Sequence, residues 1–129
     1  MQRVREYVGR ELLHLGISMR YKGFSQTICA VEIALADPES LTLVSKRLYP
    51  GIGKQFGVSW RAAERNMRTG VEAIWEFNPR GLSYIAGREL SRKPTVSDFV
   101  SIMVNDVSSH FGVDISDADS FFLEESELI

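Results

Sequence analysis

Three arginines, Arg61, Arg65 and Arg68, lie four and three residues apart in the stretch GVSWRAAERNMRTGVEAIW, residues 57–75. Side chains at that spacing leave one face of an α-helix, because successive residues turn by about 100°. A row of guanidinium groups is chemistry for a polyanion. Each carries a fixed positive charge and a planar fork of N–H donors that matches phosphate oxygens or the O6 and N7 of guanine. On a helical wheel Arg61, Arg65, Arg68 and Glu72 fall within roughly 60° of one another. Ala63, Met67, Gly70, Val71 and Ile74 fall on the other side. A helix from about Trp60 to Phe77, with Ser59 as its N-cap, would therefore keep one side for a core and one for an anion. Glu64 lies beside the stripe, where a carboxylate can accept from a cytosine amino group or orient a neighbouring arginine.

In most proteins a basic stripe on an exposed helix is only a solvated face. What sets this one apart is the sequence just upstream, YPGIGKQFGVSWRAAERNMR from Tyr49 to Arg68. A helix-turn-helix needs a small residue where its two helices touch, and Gly53 supplies it. It needs an apolar residue before the turn, Phe56, and a turn residue tolerant of positive φ, Gly57. Val58 supplies an apolar contact after the turn, and Ala63 and Met67 supply core positions in the second helix. Asn66 stands where many such motifs carry a small or apolar residue. In such a motif the N-terminal part of the second helix reads base edges in the major groove.

The elements that must position this pair are helical. Val4, Val8, Leu12 and Leu15 follow a period near 3.6, with Gly16 ending the first helix. FSQTICAVEIALADPES carries Ile28, Val31, Ile33, Ala34 and Leu35 and stops at Asp37-Pro38. SLTLVSKRLYPGIGKQFG reads as a helical run with a break or bend near Pro50. NPRG at 78–81 is a turn signal, Leu82, Ile85 and Ala86 suggest a short helix, and SRKPT makes a basic loop. Thr95 or Ser97 can cap a last helix carrying Phe99, Ile102, Met103, Val107 and Phe111. The expectation is an all-α fold without a sheet, about six helices around the helix-turn-helix; the resemblance described below implies the winged-helix-like, response-regulator effector kind.

The chain has 129 residues, the size of one domain, with 44% hydrophobic and 25% charged residues. No apolar run approaches the roughly 20 residues needed to span a bilayer, and the charged N-terminus MQRVREYVGRELLHLG lacks a signal-peptide core. Cys29 is the single cysteine, which excludes an internal disulfide or a cysteine metal cluster. These observations lead us to expect a cytoplasmic chain and no membrane partner; the resemblance described below implies a bacterial one associated with the nucleoid. The net charge of −2 conceals an asymmetry: all 15 Lys and Arg lie in residues 1–111, against 11 acids, a balance of +4. Residues 112–129 hold six acids and no base. We therefore divide the chain into a helix-turn-helix DNA-binding domain, 1–111, and an acidic C-terminal tail, 112–129. The tail reads as a solvated terminus, or as a segment that folds back on the basic face and competes with a ligand.

LYPGIGKQFGVSWRAAERNMRTGVEAIW, with YKGF at 21–24 and KPTVSDFV at 93–100, resembles the C-terminal DNA-binding domain of the stage zero sporulation protein A family. These are response regulators that commit endospore-forming bacteria to sporulation. The likeness runs from about residue 12 to about residue 111. It implies an all-helical domain whose recognition helix reads a TGTCGAA-like promoter box, often in tandem head-to-tail copies. Glu64, Arg65 and Arg68 match the family's base-reading Glu, Arg and Arg, and Ser59 matches a hydroxyl residue at the helix start. Thr69 stands where the family commonly has His and Ala62 where it commonly has Arg; Arg61 offers an arginine one position earlier, turned by about 100°. Family members carry an N-terminal receiver domain, for which 129 residues leave no room, so the expectation is either an effector domain separated from its receiver or a stand-alone homologue.

The base-reading candidates are therefore Glu64, Arg65, Arg68, Arg61 and Thr69, and the phosphate-contacting candidates Ser59, Lys54, Lys22, Arg92 and Lys93. The expected partner is double-stranded DNA, with RNA polymerase and a second copy of the chain, as a homodimer on tandem sites, as further candidates. His14 and His110 have no partner at ligand spacing and read as surface or helix-end residues. Cys29 reads as core and Trp75 as packing. Glu72 and Glu76 have nothing nucleophilic near them in sequence, and the G-I-G at 51–53 follows no strand. No enzyme, cofactor or metal is expected. The competing reading is a helical protein-interaction module that kept the fold and lost promoter binding, with Phe121, Phe122 and Leu123 of the tail as its docking segment.

Overall fold

The computed structural model describes residues 2–112. Within them lie six α-helices and no strand: α1 Gln2–Leu15, α2 Lys22–Ala36, α3 Tyr49–Phe56, α4 Trp60–Phe77, α5 Pro79–Ala86 and α6 Val96–Phe111. The expectations for residues 113–129, the bulk of the acidic tail, fall outside the described residues.

The first helix forms as its periodicity requires, burying Val4, Val8, Leu12 and Leu15 on one stripe. Gly16 ends it at φ 107°, a left-handed conformation that favours glycine. The α1 terminus meets the end of α4 here: a Cβ on Gly16 would run into the Phe77 ring. The second helix buries Phe24, Gln26, Thr27, Ala30, Val31, Ala34 and Leu35 and stops before Pro38. Ile28 and Ile33, apolar positions of the same segment, sit at its margin, half-buried and packed against the core. Cys29 is half-buried as well, its thiol pushed up to about 11 by burial and the nearby Glu32 carboxylate.

Residues 38–48 depart from the single helical run the pattern suggests. Pro38–Leu41 forms a 3-10 turn and Val44–Leu48 a π-turn that passes directly into α3. The break therefore comes before Pro50, which occupies the first turn of α3, where a missing N–H is least costly. Arg47 fixes this segment through ion pairs to Asp37 (3.3 Å) and Glu39 (3.0 Å).

Helices α5 and α6 begin at side-chain caps. The Gly81 N–H donates to Asn78 Oδ1 (2.9 Å), so NPRG serves as the start of α5 as well as a turn. The amide of Asn78 also donates to the His14 carbonyl (3.3 Å), joining α5 to the end of α1. Thr95, rather than Ser97, caps α6 by accepting from the Asp98 N–H (3.2 Å). The last helix then crosses the centre of the molecule, burying Phe99, Val100, Ile102, Met103, Val104 and Val107. At its far end His110 stacks on Tyr7 of α1, ring centres 4.1 Å apart.

Candidate DNA-binding surface

Helices α3 and α4 form the expected pair. Gly57 ends α3 at φ 67°, and the Val58 N–H donates to the Gly53 carbonyl (2.9 Å) across the turn. Gly53 is the contact point: a Cβ there would stand 2.5 Å from the Val58 carbonyl oxygen. Ser59 caps α4, its Oγ accepting from the Ala62 N–H (3.1 Å). Phe56 is the apolar residue the motif needs before the turn, and Val58 the apolar contact expected after it. They are 40% and 37% exposed. The turn is held by backbone contacts at Gly53, so these two side chains are left at the surface.

Behind α4, α2 sets the helix in place. A Cβ on Gly23 would lie 2.5 Å from the Asn66 carbonyl oxygen and 3.1 Å from Met67 Cα. Only a glycine allows this approach, main chain against main chain. The polar Asn66 is thus accommodated where other motifs carry a small or apolar residue, because it meets α2 through its backbone. Ala63, Met67, Gly70, Val71 and Ile74 are all buried, and Arg61, Arg65, Arg68, Thr69 and Glu72 are all exposed. The two faces expected of the helix are those the fold produces.

Each side chain of the exposed face has a distinct setting. The guanidinium of Arg65 makes no ion pair among the described residues. Arg68 Nε lies 3.4 Å from the half-buried Glu64 carboxylate. Glu64 in turn approaches Tyr49, whose phenol is pushed up to about 12 by burial first and then by the Glu64 and Asp98 charges. Arg61 places its Cζ 4.8 Å from the centre of the Trp60 ring, over its face. Thr69 donates its hydroxyl to the Arg65 carbonyl (3.1 Å), which leaves its methyl group and remaining acceptor capacity facing outward.

The other basic candidates come from elements that touch α4. Lys54 is exposed in the last turn of α3, and Lys22 opens α2 beside the Gly23 contact. Lys93, in the loop before α6, reaches α4 through an ion pair with Glu72 (3.2 Å), with the exposed Arg92 next to it. Ser59 spends its acceptor on the cap and keeps its O–H as a donor. Two features escaped the sequence reading: the Lys93–Glu72 pair, 21 residues apart, and the stacking of Trp60 on Tyr49, ring centres 6.2 Å apart at 12°. Aromatic residues at the first positions of α3 and α4 were the available signal for the second.

Among the described residues no helix is long and apolar enough to cross a membrane. A family model described as sporulation initiation factor Spo0A C terminal matches residues 8–107 of the chain.

Proposed function

Because the chain belongs to the sporulation initiation factor Spo0A C-terminal family, a family of DNA-binding effector domains that regulate transcription, we propose that α4 reads a TGTCGAA-like box in the major groove. Arg65 and Arg68 each bridge a guanine edge, Glu64 orients Arg68 or accepts from a cytosine amino group, and Arg61 and Thr69 complete the reading face. Lys54, Lys22, Arg92, Lys93 and Ser59 contact phosphates and fix the register. The observation that carries this reading is the exposed arginine face of α4, set opposite a fully buried face and presented by a turn of helix-turn-helix geometry. On this reading residues 1–111 form the DNA-binding domain, which acts in the bacterial cytoplasm at the nucleoid. A second copy on a tandem box and RNA polymerase are its protein partners.

Fluorescence anisotropy of a labelled TGTCGAA duplex against a scrambled one, at two salt concentrations, tests it. Preference for the box by tenfold or more, weakening with salt, is expected. Arg65→Ala and Arg68→Ala should each lose about 1–3 kcal/mol and relax specificity. An Arg65→Ala variant that bound every duplex as tightly as the parent would refute the assignment of the site.

A further inference from the structure

The N-terminal end of α4 carries a stack that the arginine stripe alone does not explain. Tyr49, 6% exposed at the start of α3, lies nearly parallel to the half-buried indole of Trp60, and Arg61 sits over the face of that indole. Neighbouring residues on a helix point about 100° apart, so Arg61 reaches Trp60 only by folding its side chain back toward it. The three arginines of the stripe thus differ in what holds them. Arg68 is paired to a carboxylate, which must give up part of that contact when DNA takes the charge. Arg65 has no such tether. Arg61 rests on an aromatic face, which restrains the side chain while occupying none of its five N–H donors. Trp60 is itself packed against the core and backed by Tyr49, so the restraint is anchored in the fold.

We propose that Trp60 is a positioning residue for DNA reading: it holds Arg61 at the N-terminal end of α4 so that Arg61 specifies one base pair of the bound site. The proposal rests on the DNA-binding reading above and assigns a role to a residue that reading leaves out. Arg61 delivers its fork to a base edge pre-oriented, and a lysine at the same position, without the planar group, would bring charge but no fixed direction.

The test is enrichment of binding sites from a randomised duplex pool by the parent, Trp60→Leu, Trp60→Phe and Arg61→Lys. Trp60→Leu and Arg61→Lys should lose discrimination at one and the same base pair, by about tenfold, while Trp60→Phe keeps most of it. In the free parent the Arg61 side-chain protons should show an upfield ring-current shift in NMR spectra, absent in Trp60→Leu. A Trp60→Leu variant that selects the parental motif in full overturns the proposal, as does loss at different positions in the two variants. Should Trp60→Leu fail to fold, the exposed Arg61 still decides: an Arg61→Lys motif identical to the parent's overturns it. A parent that enriches no motif at all sinks the DNA-binding reading, and this proposal with it, even where the ring-current shift is present.

Discussion

Replacing Gly53 by alanine tests whether the turn before the recognition helix is held by backbone contact. The added Cβ would lie 2.5 Å from the Val58 carbonyl oxygen, 3.3 Å from the Ser59 carbonyl carbon and 3.4 Å from the Trp60 nitrogen. All three are main-chain atoms, so none can rotate aside as a side chain would. The turn must shift instead. Overpacking of this kind costs about 1–3 kcal/mol, while alanine regains about 0.5–1 kcal/mol over glycine inside a helix. A net loss of about 1–2 kcal/mol follows, lowering the unfolding midpoint by roughly 5–10 °C. Gly70 supplies the control within the same motif. Its Cβ would meet only Ile17 Cδ1, at 3.6 Å, an ordinary contact. Gly70→Ala should therefore stabilise by about 0.5–1 kcal/mol. Urea and thermal unfolding followed by far-UV circular dichroism would measure both. A Gly53→Ala variant as stable as the parent, or a Gly70→Ala variant weakened as much, would refute the reasoning.

Two further outcomes are expected. The Asp106 carboxyl, at the α1–α6 joint, is pushed up to about 6 from 3.8, by burial first and the neighbouring Glu11 second, against an opposing hydrogen bond from Tyr7. The folded state therefore holds this proton more tightly than the unfolded chain does. Its contribution to stability is complete below the ordinary value and is lost as pH rises through about 6. Discounted for solvent screening, the change is on the order of 1 kcal/mol, and Asp106→Asn should flatten it in unfolding curves collected across that interval. Glu72→Gln should release Lys93 from its 3.2 Å ion pair and remove an acidic group from the arginine face. Affinity for all duplexes should then rise alike and the salt dependence steepen by about one phosphate contact, measured by anisotropy against ionic strength.

The bounds and the two faces of α4 were legible in the sequence because they depend on local information: a capping serine and a 3.6-residue period running without interruption from Ala63 to Ile74. Gly53 was legible for a related reason, since its contact closes within a few residues of chain. The segment 38–48 was not, because a period cannot distinguish α from 3-10 or π winding over so few residues. The partial exposure of Phe56 and Val58 was not legible either, because hydrophobicity alone does not say whether a neighbouring element will cover a side chain. Lys93 joins Glu72 across 21 residues, and Gly23 meets Asn66 across more than forty, and neither partner carries any mark of the other.

The approach of Gly23 to Asn66 has a consequence for how such a domain can change its target. The roll of α4 about its own axis is fixed by main chain pressed on main chain, a contact that substitutions on the outer face leave untouched. On the proposed reading of α4, residues 61, 62, 65, 68 and 69 can therefore be exchanged as letters are exchanged in a typesetter's frame, altering what is printed while the frame stays still. Divergence of promoter preference then needs no accompanying repair of the core, and an engineer seeking a new operator would randomise those five positions and leave Gly23 alone.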